Sequence, residues 1–148
     1  MEERLEETLF LMELTVKKLS CVAELMQPYF TEDVLDLQKV CDRYERYKLC
    51  AHLLIDQVYY LQQYQDEFYT MVLENPRCLE LTQKIDLTMD LVERGAHSIF
   101  DKFCQVYTKP LWVVCFAKEY LERLRWILDG NEKILNLIDR LRQAESLS

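Results

Sequence analysis

Residues 91–107 read LVERGAHSIFDKFCQVY and place one of the chain's two glycines between two stretches of helical spacing. Ahead of it, from Leu79 to Val92, Ile85, Met89 and Val92 share one face. After it, from His97 to Tyr107, Ile99, Phe100, Phe103 and Val106 recur at helical intervals. A glycine just past a helix end adopts the left-handed conformation that other residues avoid there. The spacing therefore predicts that one helix closes at Gly95. A short second helix then folds back onto the Ile85/Met89/Val92 face.

Working outward, the apolar spacing stays helical almost throughout. Leu5, Leu9, Met12, Val16 and Leu19 form the first stripe, which Pro28 is expected to end. Thr31-Glu32-Asp33 has the chemistry of a helix start, with a hydroxyl cap and acidic residues at the positive end of the dipole. The pattern then runs through Val34, Leu37, Val40 and Cys41 to about Leu61, long enough to predict a break near Tyr47 to Cys50. A further helix covers about Gln63 to Leu73, and Asn75-Pro76 stops it. Downstream, Pro110 opens a helix over Leu111 to Leu128, and Asp129-Gly130 closes it. Asn131 then caps a last helix carrying Ile134, Leu137, Ile138 and Leu141. No strand alternation is present. The fold class is all-α, a bundle whose short connections make neighbouring helices antiparallel.

Composition narrows the function. The 148 residues fit one domain, and the net charge of −8 argues against a general nucleic-acid binder, which needs clustered Lys and Arg. The acidic N-terminus is unlike a secretory leader, and no apolar run approaches the roughly 20 residues that span a bilayer, so a soluble cytoplasmic protein is expected. In that setting the six cysteines are expected to stay reduced and to pack as small buried hydrophobes. Structural zinc needs four converging ligands, and the chain has two histidines and no C-x-x-C motif. Cys104 and His97, seven positions apart on one helix, are separated by about 10 Å of axial rise, too far for a nucleophile and its base. The expectation is a non-enzymatic chain with no metal and no cofactor. Tyr44, Tyr47, Tyr59, Tyr60, Tyr64, Phe68 and Tyr69 form a dense aromatic series, consistent with either a core or a protein-binding surface.

The segment KIDLTMDLVERGAHSIFDKFCQVY, residues 84–107, resembles the fourth and fifth helices of a caspase-recruitment domain (CARD) of the death-fold superfamily: a helix rich in Leu and Asp, an Arg-Gly turn, then paired aromatics. LQKVCDRYERYKLC (37–50), AHLLIDQVYYL (51–61) and YQDEFYTMVLENP (64–76) match its first three helices, and LWVVCFA (111–117) the start of its sixth. The resemblance implies an antiparallel six-helix bundle over residues 31–117. An N-terminal helical extension (1–30) and C-terminal helices (118–148) would pack on it. It further implies homotypic association in apoptotic or innate-immune signalling, as an adaptor or a decoy. The partner would be another CARD-containing protein or a second copy, with filaments as one outcome. A basic surface at Arg43, Arg46, Lys48 and Lys84 would meet an acidic surface at Asp56, Asp66 and Glu67. The alternative is a Bcl-2-like or other helical regulatory bundle that binds a partner helix in a groove.

Overall fold

The computed structural model describes residues 3–106 and 109–146 and is helical, with no strand among the described residues. Helix α1 spans Glu3–Thr31 and leads through a single 3₁₀ turn, Asp33–Leu35, into α2, Leu37–Met71. Helix α3, Pro76–Phe100, continues without a break into a wider, π-type segment, Asp101–Val106. A short α4, Pro110–Cys115, then leads into α5, Ala117–Ser146. Tyr107 lies outside the described residues.

Four long helices form the body, and the cause is visible in their buried positions. In α1 these are Leu5, Leu9, Met12, Val16, Leu19, Ala23, Met26 and Phe30. In α2 they are Tyr44, Tyr47, Ala51, Leu54, Val58, Leu61, Gln65 and Phe68. In α5 they are Ala117, Tyr120, Leu124, Ile127, Asn131, Ile134, Ile138 and Leu141. Each series alternates steps of three and four, the repeat that keeps one face on its neighbours along an entire helix. Around the bundle α1 packs on α2, α2 on α3, α3 on α5 and α5 on α1. Contacts of Glu6 with Arg142 and Ser20 with Asn131 show α1 and α5 running antiparallel, and contacts of Gln65 with Thr82 and His52 with Phe100 show the same of α2 and α3. One apolar cluster extends from Leu5 to Ala144, so α1 and α5 share a core with the segment between them.

The continuity of that repeat corrects several expectations. Gly95 does not turn the chain. It lies inside α3, and no described glycine has a positive φ. The glycine serves packing: a Cβ there would sit 2.8 Å from the Arg123 carbonyl oxygen and 3.1 Å from Ile127 Cγ1 on α5. Gly130 likewise lies inside α5, where a Cβ would fall 2.6 Å from Val92 Cγ2. The Arg-Gly turn of the death-fold resemblance is therefore absent, and the first and second helices of that scheme are parts of one unbroken α2. The predicted break near Tyr47 to Cys50 and the separate helix after Gln63 are absent too, because Tyr47, Ala51, Leu54, Val58, Leu61 and Gln65 keep the repeat through both. Pro28 is tolerated in the last turn of α1, where Glu32 N still donates to the Pro28 carbonyl at 2.8 Å. The true punctuation is conventional: Asp36 accepts from Gln38 N at 3.0 Å to start α2, and Asn75, followed by Pro76 in the first turn, accepts from Cys78 N at 3.2 Å to start α3.

Rings close one end of the bundle. Tyr29 stacks on Tyr47 with centroids 3.7 Å apart, and Phe103, from the π-type segment, lies against Tyr29, Phe30, Tyr44 and Tyr120. Tyr29 donates to the Val40 carbonyl at 3.1 Å and Tyr44 to the Phe103 carbonyl at 3.2 Å. The aromatic series of α2 thus divides: Tyr44, Tyr47 and Phe68 are core, whereas Tyr59 and Tyr60 are exposed.

Candidate functional site

Once the core repeat is assigned, α1 and α2 still carry apolar residues with no core to occupy. On α1 these are Phe10, Leu14, Cys21 and Leu25, and on α2 they are Leu49, Leu53 and Tyr60. Their spacings of four and seven keep each series on one outward side of its helix. Leu25 is 66% exposed, Leu49 59% and Phe10 55%. Because the two helices run antiparallel, the series lie side by side. Leu14, Cys21, Val22 and Leu53 line a groove of about 410 Å³ between them, with Lys17 and Lys18 on its rim. A second depression of about 440 Å³, lined by Cys21, Glu24, Leu25 and Pro28, continues it toward the aromatic end. Water against such a strip is unfavourable, and covering one leucine fully contributes about 1.5–3 kcal/mol. Contiguous apolar surface of this kind marks a protein-binding face more often than a solvated one.

The groove holds no constellation for acid–base or nucleophilic work. Cys50 and Cys104 are partly buried, and desolvation pushes both thiols up, away from the reactive thiolate. His52 sets its ring edge-on against Phe100. Among the described residues no group of three or more His, Cys, Asp or Glu could hold a metal ion, and no helix is long and apolar enough to cross a membrane. The six cysteines are free, yet Cys21, Cys41 and Cys115 are exposed and only Cys78 is fully buried, which corrects the expectation that they pack inside.

The charged residues singled out from the sequence do not converge. Arg43, Arg46, Lys48, Asp56, Asp66 and Glu67 all lie along α2, with the basic ones toward its N-terminal end. Arg43 is engaged within the chain: its Nη1 donates to Asp33 Oδ1 at 2.9 Å and Oδ2 at 3.1 Å, and the Asp33 side chain is almost wholly buried. That pair ties the 3₁₀ turn to α2. Arg46, Asp56, Asp66 and Glu67 are exposed, and Lys48 is half-buried. Lys84 stands apart on α3, 3.5 Å from Glu80. The apolar strip, not the charges, is the feature that composition and motif reading overlooked. Its signal was the surplus of large apolar residues in α1 outside the Leu5/Leu9/Met12/Val16/Leu19 stripe. No family model, curated protein or solved structure matches the chain.

Proposed function

We propose that this chain is a non-enzymatic protein-interaction module that takes an amphipathic helix of a partner protein along the outer face of α1 and α2. The observation that carries the reading is the apolar groove between Leu14, Cys21 and Leu53, continued by Leu25. A helix laid there would set its side-chain ridge between the ridges of α1 and α2, as packed helices do. Lys18 on the rim has no ion-pair partner among the described residues and favours an acidic flank on the incoming helix. The test uses a fluorescent amphipathic peptide with leucines at heptad spacing and glutamates beside them, titrated with the full chain. Binding that weakens at least ten-fold in Leu53→Asp, with unchanged helical circular dichroism, is the expected result. Binding indifferent to Leu53→Asp and Leu25→Asp alike sinks the proposal.

A second reading is homotypic association through charge, as the caspase-recruitment resemblance implies. It is favoured by Arg46, Asp56, Asp66 and Glu67, which are exposed and have no ion pair among the described residues. Arg43 is not available to it, being held by Asp33. Retention of self-association by a folded Arg46→Glu variant would count against this mechanism.

A further inference from the structure

The opposite side of the bundle carries a different surface. A groove of about 420 Å³ between α3 and α5 is lined by Lys84, Leu87, Lys133, Leu137 and Arg140. It opens into a smaller cleft where Arg77 and Glu80 face Arg140 again. In a chain of net charge −8 this concentrates four cations around two leucines, one of them, Leu87, 77% exposed. Glu80, the carboxylate in the smaller cleft, pairs with Lys84 at 3.5 Å; Asp86 and Asp90 flank Leu87 on the side away from α5, and Asp90 pairs with Arg94. Arg77, Lys133 and Arg140 have no ion-pair partner among the described residues. The contrast with Arg142 is instructive. Two residues from Arg140, it turns to α1 and meets Glu6 at 3.1 Å as well as Glu13.

The complementary surface is on the same chain. Glu3, Glu7 and Phe10 project from the start of α1 at steps of four and three, all exposed, and neither glutamate has a partner among the described residues. The register of the bundle sets these two surfaces within about one helical turn of the same height. Arg142 reaches both Glu6 and Glu13, and Asn131 reaches Val16 and Ser20, so Phe10 is level with the turn that carries Arg140, and Glu7 and Glu3 lie further toward the C-terminal end of α5. The four helices follow one another in the order α1, α2, α3, α5, so the outer ridge of α1 points away from the side on which α3 and α5 form their groove.

We infer that the α3/α5 groove is occupied by the α1 ridge of a second copy of this chain, giving an open head-to-tail stack. Phe10 seats between Leu87 and Leu137, while Glu7 and Glu3 meet Arg140 and Arg77. A sideways translation with an axial shift of about one helical turn, roughly 5 Å, brings ridge to groove. Because the two surfaces lie on opposite sides, each added copy leaves both a free groove and a free ridge, and growth does not close. Each exposed ion pair contributes little alone and is screened by salt, so the stack assembles at low ionic strength and dissolves as salt rises. The α1 ridge continues the stripe that lines the α1/α2 groove, and Phe10 belongs to both; Lys133 and Arg140 touch only the α3/α5 groove, so their reversal tests this inference apart from the proposed helix docking.

The test is sedimentation velocity of the full chain over a range of concentrations at low and high salt, with two charge-reversed variants. Wild type is expected to form a concentration-dependent ladder of oligomers at low salt. Lys133→Glu/Arg140→Glu and Glu3→Lys/Glu7→Lys should each lower association at least ten-fold while keeping wild-type helical content. Mixing the two variants should restore the ladder, since each then offers the ridge the other's groove requires. If a reversed variant fails to fold, Phe10→Ser and Arg140→Gln, which alter one exposed side chain apiece, carry the same expectation. A monomer at every concentration, a closed dimer of fixed mass, or oligomers indifferent to all these substitutions would overturn the inference.

Discussion

The α3–α5 seam and the α1–α2 seam run the length of one bundle, yet their helices pack in opposite ways. Between α3 and α5, Gly95 faces the backbone of Arg123 and Gly130 faces Val92, so the helices approach until a single added carbon would not fit. Between α1 and α2 no glycine intervenes, and Leu14, Leu25, Leu49 and Leu53 remain partly in water. The comparison teaches that closeness and apolarity are separate variables. Glycine removes side chains so that the α3 and α5 backbones meet closely beneath a lip that leaves Leu87 exposed. The leucine-lined seam has side chains in excess of what its own core uses, and that excess is available to a partner.

Substitutions that disturb only one seam separate the two cases. Gly95→Leu should have the largest effect, since its side chain meets a carbonyl that cannot rotate aside. Overpacking of this kind costs about 3 kcal/mol, well above the roughly 1 kcal/mol of helix propensity gained on leaving glycine. Urea unfolding would show it as a lower midpoint with an unchanged slope. Gly130→Ala should cost less, about 1 kcal/mol, because it displaces the Val92 side chain rather than a backbone atom and part of the loss is offset by propensity. An equal cost at both positions would mean that the seam yields evenly along its length.

The aromatic end, where the two seams meet, has its own pH signature. Burial is the largest cause raising the Tyr29, Tyr44 and Tyr47 phenols above the ordinary tyrosine value, with nearby phenols and Asp33 adding to the effect at Tyr29. A raised folded-state pKa means the neutral phenol is favoured on folding. The contribution is complete below the unfolded value near 10 and is lost as pH rises beyond it. Urea midpoints should therefore fall between pH 9 and pH 11, and Tyr29→Phe should flatten that fall. The smallest effect belongs to the open seam. Leu53→Ser should change stability by no more than about 0.5 kcal/mol, as surface substitutions do, while reducing capture of a leucine-rich helix. A large loss of stability there would place Leu53 in the core and remove the distinction between the seams.

The core was largely legible in the sequence. Leu5, Leu9, Met12, Val16 and Leu19, then Ile85, Met89 and Val92, and finally Ile134, Leu137, Ile138 and Leu141 were assigned inward from spacing, and all are buried. The helix boundaries were less legible for an identifiable reason. Gly95, Gly130 and Pro28 were read as local punctuation, whereas a repeat of three and four running past each of them outweighs a local cost of about 1–3 kcal/mol per residue. Asn131 illustrates the same override. It has the chemistry of a cap, but lies within the core repeat of α5, and its side-chain amide donates to Ser20 Oγ at 2.9 Å across the interface with α1.

The amino-acid sequence by itself determined that this protein is all-helical and which face of each helix turns inward, because burial of apolar side chains at a fixed helical period is a local property of the chain. Tertiary structure alone decided what the exceptions are for. The two glycines admit α5 against α3, Arg43 is held by a buried Asp33 ten residues away, and the surplus leucines of α1 meet those of α2 only when the helices lie antiparallel. Each of these is a relation between residues on different elements, and spacing within one element carries no record of its neighbour.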